Sequence, residues 1–167
     1  SVFRQQLLGV VPRLRRYARS LVFEDAQSDD LVQTTLERAL TRWQQFDPQR
    51  DMLAWLLSIA HNAHQDMRRK QARMQSMDPS QLQAAQDSLG GDAGVDVGLR
   101  MDLLAALARL SPEQREPLLL VCVEQFSYAE VAEVMHIPVG TVMSRVCRAR
   151  ATLRGLLDAP AKLRRVV

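Results

Sequence analysis

The chain has 167 residues, of which 47% are hydrophobic and 25% are charged, and its formal net charge at pH 7 is +3. This composition is typical of one ordinary globular domain or of two small ones. No apolar run reaches about 18 residues and no signal-peptide pattern is present, so we expect a cytoplasmic protein without a transmembrane helix.

Nucleophilic and metal-ligating residues are too sparse to indicate an enzyme. Cys122 and Cys147 have no CxxC partner, which favours a reducing cytoplasm, and Cys122 is expected to be buried because it lies in the apolar run LLLVCVE. His61 and His64 stand near Asp66, but no further ligand candidate accompanies them. Since a glycine-rich phosphate loop and a nucleophile–base pair are also missing from the sequence, we expect no catalysis, no cofactor and no bound metal.

Helical periodicity runs through almost all of the N-terminal half. The first predicted helix has apolar residues at three- and four-residue spacing, and we expect Pro12 to kink or divide it. The second has a candidate cap in Ser28 or Asp29, and the loop FDPQRD separates it from the third. The predicted bounds are Val2–Phe23, Ser28 or Asp29 to Trp43, and Met52–Arg73. The predicted buried face of the second helix is Val32, Leu36, Ala39, Leu40 and Trp43.

The composition changes between Gln75 and Gly98, where four acidic residues occur without a basic one. Segments rich in Gly, Ser, Asp and Gln bury too little apolar surface to offset their ordering entropy. We therefore predict a flexible acidic linker at 75–98 that joins two small helical domains, 1–74 and 99–167. The expected fold class is all-α.

The second domain is predicted to contain two short helices separated by a tight turn. Ser127 and Glu130 form a capping-box pattern, which marks the start of the first of them. Pro138 ends that helix, because a proline disfavours the helical conformation of the residue before it. The next helix has one apolar face, and the polar side chains left outward are Thr141, Ser144, Arg145 and Arg148. This layout is typical of a helix-turn-helix that contacts DNA.

Positive charge is concentrated at the C-terminal end. From Ile137 to Val167, seven basic residues stand against one acidic residue, whereas the whole chain carries only +3. A local basic surface is typical of phosphate binding. Arginines on the outer face of an amphipathic helix are also compatible with a merely solvated surface, and the uneven charge distribution favours DNA binding over that alternative.

Three segments resemble the extracytoplasmic-function (group 4) sigma factors of bacteria. SDDLVQTTLERAL resembles region 2.2 of that family, and AWLLSIAHNAHQDMRR resembles regions 2.3 to 2.4. LSPEQREPLLLVCVEQFSYAEVAEVMHIPVGTVMSRVCRARATLR resembles region 4 almost residue for residue. The resemblance covers about 1–74 and 99–157 in the family's order, and the usual region 3 between them is absent.

The resemblance implies that the chain binds core RNA polymerase. Region 2.2 binds the clamp helices of the β′ subunit in this family, and region 4 is implied to contact the β flap. The residues that match the polymerase-binding positions are Asp29, Asp30, Gln33 and Glu37. They recur at three- and four-residue spacing, so they form a polar and acidic face suited to a basic helical partner. Without the family resemblance, a merely solvated face would be the favoured interpretation.

The resemblance also implies contacts with both promoter elements. The loop from Asp47 to Met52 corresponds to a family loop that captures an unstacked base of the −10 element. The positions that match −10 contacts are Met52, His61, Asn62, Asp66, Arg68 and Arg69. The positions that match −35 contacts are Thr141, Met143, Ser144, Arg145, Cys147, Arg148 and Arg150. Four of these residues, Met52, His61, Met143 and Cys147, differ from those common in the family, so the base preferences are expected to differ too.

The function predicted from the sequence is that of an alternative sigma factor, held inactive by an anti-sigma factor and active on promoter DNA only with core polymerase. One alternative is a helix-turn-helix repressor or a response-regulator-like DNA-binding protein, which would need a dimerisation surface and a palindromic operator. Another is a regulator that imitates a sigma factor and binds an anti-sigma factor but not DNA. Binding to core polymerase distinguishes these hypotheses.

Overall fold

The structure is a computed structural model that describes residues 1–75 and 97–165. The chain divides into two compact units, Ser1–Ser88 and Leu89–Val167. The described residues form seven α-helices and one short 3-10 helix and contain no β-strand, which confirms the predicted all-α class. The predicted acidic linker at 75–98 lies almost entirely outside the described residues.

In the described part of unit 1, residues 1–75, three α-helices pack against one another. Its elements are α1 (Val2–Val22), α2 (Asp25–Thr41), the 3-10 helix Trp43–Gln45 and α3 (Met52–Gln75). The core is rich in leucine, and its fully buried side chains include Leu14, Leu21, Leu31, Leu53, Leu56 and Leu57. α1 continues through Pro12, so of the two expected outcomes, a kink or a division, the division does not occur. The proline removes one backbone donor, and the packed leucines on either side hold the helix together.

The N-cap of α2 lies four residues before Ser28 and five before Asp29, the two predicted caps. Phe23 adopts the left-handed conformation with φ 65° and ends α1, and Glu24 is the extended N-cap of α2. Ser28 is only 3% exposed, and its backbone N–H donates to the carbonyl of Glu24 at 2.8 Å. Ser28 is therefore part of the packed face of the helix and does not cap it.

The buried face of α2 also differs from the predicted one. Leu40 and Trp43 are 49% and 53% exposed, whereas Thr35 is fully buried. Thr35 is tolerated in the core because its hydroxyl donates to the carbonyl of Leu31 at 2.6 Å. Small polar residues thus take core positions of α2, and two large apolar side chains remain on its surface.

Three aromatic rings fix the entry to α3. The ring centroid of Phe46 lies 5.1 Å from that of Trp55, and Phe3 lies 5.8 Å and 5.9 Å from these two. Such separations are favourable for tilted and edge-on aromatic pairs. Asp51 accepts a hydrogen bond from the backbone N–H of Leu53 at 3.1 Å, as an N-cap residue does. Both ends of the loop 47–51 are therefore held in place.

The described residues of unit 2 form four helices, and the longest of them packs against the other three. They are α4 (Val97–Arg109), α5 (Pro112–Cys122), α6 (Tyr128–Met135) and α7 (Val139–Arg165). α7 packs against the other three, and its fully buried contacts are made by Val142, Val146 and Ala149. Across the described parts of both units, no helix has an apolar stretch long enough to cross a membrane.

Arg115 ties α4 to α5. Its side chain is buried, and it donates to the carbonyls of Leu107 at 2.8 Å, Ala108 at 3.1 Å and Leu110 at 2.7 Å. The last carbonyls of a helix have no partner within the helix. The Arg115 guanidinium therefore caps the C-terminal end of α4, and this arginine is structural.

α6 and α7 form the predicted helix-turn-helix. The hydroxyl of Ser127 accepts the Glu130 N–H at 3.1 Å, and the Glu130 carboxylate accepts the Ser127 N–H at 3.1 Å, which confirms the capping box. His136, with φ 56°, adopts the left-handed conformation and ends α6. Pro138 precedes the first residue of α7, Val139, as predicted.

Candidate functional site

The first candidate surface lies on α2. The four predicted polymerase-binding residues have exposed side chains along one side of the helix. These residues are Asp29, Asp30, Gln33 and Glu37. The Gln33 amide donates to the Glu37 carboxylate at 3.2 Å. The structure therefore brings these residues together as one continuous acidic and polar face.

A shallow groove of about 540 Å³ runs beside this face. Its lining joins part of the acidic face to four residues that the sequence analysis did not identify as functional: Arg15 of α1, and Val32, Leu36 and Leu40 of α2. The exposure of Leu40 gives the groove an apolar wall beside its carboxylates. The sequence offered one signal for this groove. Leu40 fits the helical period of the apolar residues of α2, but it lies outside the core.

The second candidate surface is the C-terminal half of α3. Asn62, Asp66 and Arg69 are exposed and share one side of the helix, because they are four and three residues apart. Arg68 is half-buried and points about 100° away from Arg69. The structure thus groups three of the predicted −10 residues and places Arg68 at their edge.

Met52 and His61 do not lie on this surface. They are only 6% and 7% exposed, because α3 packs against both α1 and α2 and buries two adjacent faces of its N-terminal half. This corrects the expectation that the two side chains contact DNA bases. The described residues also contain no group of three or more His, Cys, Asp and Glu side chains placed to bind a metal ion.

Asp66 is engaged in ion pairs within the protein. Its carboxylate lies 2.9 Å from the guanidinium of Arg38 on α2 and 3.7 Å from that of Arg69. Arg38 was not identified from the sequence, because its partner is 28 residues away along the chain. The carboxylate of Asp66 therefore holds two guanidinium groups close together at the exposed crossing of α2 and α3.

The loop 47–51 forms a compact exposed turn next to the aromatic rings. The Asp47 carboxylate accepts the backbone N–H of Gln49 at 3.0 Å, and the Asp47 carbonyl accepts that of Arg50 at 2.9 Å. Apart from the capped start of α3, the side chains of this turn face solvent. The backbone of this turn is therefore fixed by its own hydrogen bonds.

The third candidate surface is the outer face of α7. Met143, Ser144, Cys147, Arg148 and Arg150 are exposed, and Thr141 and Arg145 are half-buried at one edge. The Arg148 guanidinium donates to the Ser144 hydroxyl at 3.0 Å, which orients it along the helix. The predicted −35 residues therefore occupy one broad exposed arc, opposite the buried valines of the core.

Cys122 lies on the surface beside this arc, so the expectation that it is buried is wrong. It is the last residue of α5, where the apolar run extends beyond the packed part of the helix. Arg150 donates a hydrogen bond to the Cys122 sulfur at 3.6 Å. This hydrogen bond, together with the electrostatic attraction between the two groups, raises the pKa of the Arg150 guanidinium. Arg150 remains charged at any physiological pH, and its orientation is partly set by α5.

Two known families match the two units. The family described as "Sigma-70, region 4" matches residues 100–153, and the family described as "Sigma2 domain of PhyR" matches residues 7–61. The two matches lie in separate units and occur in the order that the sequence motifs indicated.

Individual proteins match across both units. The sigma factor EcfG of Rhodopseudomonas palustris (strain TIE-1) is 37% identical over 155 residues, which are 92% of this chain and 84% of that protein. CarQ of Myxococcus xanthus is 31% identical over 87% of this chain and 83% of its own. The structure of RpoE in complex with the anti-sigma factor NepR, from Bartonella quintana, superposes with a TM-score of 0.81 at 33% identity, covering 93% of this chain and 96% of RpoE. The chain belongs to the extracytoplasmic-function family of RNA polymerase sigma factors.

Proposed function

We propose that this protein binds core RNA polymerase and directs it to promoters through unit 1 at the −10 element and unit 2 at the −35 element. The observation that carries the proposal is the presence, in one chain, of an exposed acidic face on α2 and an arginine-rich outer face on a helix-turn-helix. The protein itself performs no covalent chemistry, and the polymerase supplies the catalysis.

The acidic face of α2 and its groove are suited to a basic, partly apolar helical partner. Three carboxylates on one face attract basic residues during encounter, and the apolar wall formed by Leu36 and Leu40 can be buried on docking. The β′ clamp helices are the partner that the family relationship implies. Arg15 at the opposite wall of the groove would pair with an acidic residue of that partner and fix its register.

The −10 element is assigned to α3 and the loop 47–51. Asn62 can donate and accept with one base edge, and Arg69 can bind phosphate. The loop supplies backbone groups beside the aromatic rings for an unstacked base. The side chains of Met52 and His61 are buried, so they support this surface by packing beneath it.

The −35 element is assigned to the outer face of α7. Arg148 and Ser144 present hydrogen-bonding groups toward the major groove, and Arg150 and Arg154 flank them as phosphate ligands. Contact of unit 2 with the β flap would place this helix over the −35 element while unit 1 holds the clamp.

Control by an anti-sigma factor completes the proposal. RpoE of Bartonella quintana forms a complex with the anti-sigma factor NepR. We propose that an anti-sigma factor of this kind covers the α2 face and the α7 face of the present protein. The free sigma factor would then compete for core polymerase only after its release.

Reconstitution tests this function. The purified chain should form a stoichiometric complex with core polymerase in gel filtration, and an anti-sigma factor of the NepR kind should prevent it. High-affinity binding of the chain alone to an operator, with no complex formed with core polymerase, would instead support a repressor.

A second function is favoured by one observation. Unit 1 matches the sigma-like domain of PhyR, and the complex of PhyR with NepR from Sphingomonas sp. Fr1 superposes with a TM-score of 0.63 at 28% identity. A sigma-like protein that only sequesters an anti-sigma factor would bind NepR and not core polymerase. The arginines of α7 argue against this alternative, because sequestration does not require a DNA-binding surface.

A further inference from the structure

The outer face of α7 contains an apolar strip between its arginines. Met143 is 51% exposed, and Cys147 and Ala151, four and eight residues further along, are also exposed. The three side chains line a groove of about 440 Å³ together with Tyr128 of α6. We define Met143, Cys147 and Ala151 as the methyl strip.

The fold does not require this strip. α7 packs into unit 2 through Val142, Val146 and Ala149, which are at most 1% exposed and lie on a different side of the helix. Met143 and Cys147 could be polar without loss of core packing. Their apolar character is therefore available for contact with a ligand.

Basic groups on both sides of the strip identify that ligand as duplex DNA. Arg148 lies on one side and Arg150 on the other, at the rim of the groove, and Arg154 lies in line with the strip, three residues beyond Ala151. A helix with arginines on both flanks can bind the phosphates of the two strands, which brings its central residues to the floor of the major groove. A protein partner with an acidic surface would match the arginines, but it would not need a long apolar line between them.

The chemistry of the major groove then determines what the strip can contact. Base edges there present hydrogen-bond donors and acceptors, and the C5-methyl group of thymine is their apolar group. The side chains of Met143, Cys147 and Ala151 offer at most weak hydrogen bonds from sulfur, so they cannot compensate a desolvated N7, O6 or amino group. Burial of a methyl group against them is favourable.

We propose that the methyl strip recognises thymine C5-methyl groups in the −35 element, and that Met143 and Cys147 are specificity-determining residues for A·T pairs. This inference rests on the proposed function, and it specifies which chemical group of the promoter unit 2 recognises. Arg148 and Ser144 then recognise neighbouring base pairs by hydrogen bonds.

Uracil substitution tests the inference, because uracil differs from thymine only by the missing methyl group. The preferred −35 sequence is first selected from a random library with reconstituted holoenzyme. Each thymine of either strand is then replaced by uracil, and initiation is measured at a limiting concentration of holoenzyme. We expect one or more replacements to lower initiation about threefold to fivefold, as the loss of one buried methyl group does.

Variants assign the effect to the strip. Met143→Ala or Cys147→Ser should reduce the difference between thymine and uracil templates at its own position to less than about 1.5-fold. Met74→Ala, which removes a comparably exposed methionine of α3, should preserve the full difference. All three substitutions are at exposed positions, so we expect each variant to fold normally.

The outcomes separate this inference from the proposed function. Suppose that initiation depends strongly on the −35 sequence, but every uracil template is as active as its parent, or no A·T pair is selected. Either result would overturn the methyl strip and leave the proposed function intact. A holoenzyme that initiates equally well on scrambled −35 sequences would overturn both −35 recognition and the methyl strip.

Discussion

At the scale of single residues, the arginines of unit 2 have different tasks, and their environments distinguish them. Arg115 is buried and donates to three carbonyls at the end of α4, whereas Arg148 is exposed and donates to the hydroxyl of Ser144 on its own helix, α7. In the sequence, Arg115 and Arg148 carry the same charge, and charge alone does not distinguish their roles. Stability and DNA recognition should therefore respond to different substitutions.

Arg115→Ala should destabilise unit 2 by about 2–4 kcal/mol, because it removes charge-assisted hydrogen bonds and leaves buried carbonyls unsatisfied. Urea unfolding can localise the loss, since both tryptophans of the chain lie in unit 1. The helical circular dichroism should gain an early transition that tryptophan fluorescence does not follow. Arg109→Ala, at an exposed position of α4, is the control and should change little. An unchanged circular dichroism transition in Arg115→Ala would show that the cap is not needed.

Arg148→Ala should lower discrimination between cognate and scrambled −35 sequences by about 1–3 kcal/mol, the cost of a lost base-edge contact. Arg154→Ala should weaken binding evenly across sequences and reduce the salt dependence by about one phosphate contact. Fluorescence anisotropy with holoenzyme at several salt concentrations measures both effects. Equal losses on cognate and scrambled DNA for both variants would show that Arg148 does not contact bases.

At the scale of elements, each binding surface is carried by the exposed side of a helix whose other side forms the core. α2 presents its acidic face beside a groove, and α7 presents arginines around an apolar strip. These surfaces can be altered without disturbing the packing behind them.

Charge reversal tests the α2 face. Asp30→Arg and Glu37→Arg should each weaken core polymerase binding about tenfold or more, because a basic partner would meet a like charge. Glu133→Arg, at an exposed position on α6, changes the net charge equally and should leave the affinity within about twofold. Competition binding against a labelled sigma factor provides the measurement. If the three variants bind core polymerase equally well, the assignment of α2 is wrong.

Gly140 tests how closely α7 approaches DNA. A Cβ added at Gly140 would meet nothing within 4 Å, so the fold gives no reason for a glycine there. Gly140→Ala should stabilise unit 2 by up to about 1 kcal/mol and yet weaken −35 binding, because the new methyl group separates helix and DNA.

Gly155 provides the matched control. It also lies on α7 with open space around its Cβ position. It is about 22 Å further along the helix at 1.5 Å per residue, which exceeds the roughly 12 Å width of the major groove. Gly155→Ala should stabilise and leave discrimination between −35 sequences unchanged, because its neighbour Arg154 is assigned to a phosphate and not to a base. Wild-type −35 affinity in Gly140→Ala would contradict close approach at this turn.

At the scale of the whole molecule, the sequence predicted what depends on local signals. The capping box at Ser127 and the stop at Pro138 are encoded within a few residues, so the helix-turn-helix was predicted correctly. Burial depends on which partner covers each side of a helix. Periodicity therefore misplaced Trp43 on the inside, and the apolar run LLLVCVE misplaced Cys122 there. The expected contact of Met52 with DNA came from the family resemblance, which does not indicate that α3 is packed on two faces.

Long-range polar contacts also could not be predicted from the sequence. The pair between Arg38 and Asp66 joins residues 28 positions apart on two helices. No local pattern distinguishes such a pair from two solvated charges. The candidate −10 surface consequently contains an arginine that only the fold could reveal.

Initiation by reconstituted holoenzyme on a minimal promoter tests the central claim most directly. Templates with both preferred elements, with a scrambled −10 element, or with a scrambled −35 element are transcribed with core polymerase and the purified chain. We predict transcripts only when core polymerase and the chain are both present, and a marked loss when either element is scrambled. Transcription that is equally strong without the chain, or insensitive to both elements, would contradict its role as the promoter-specificity factor.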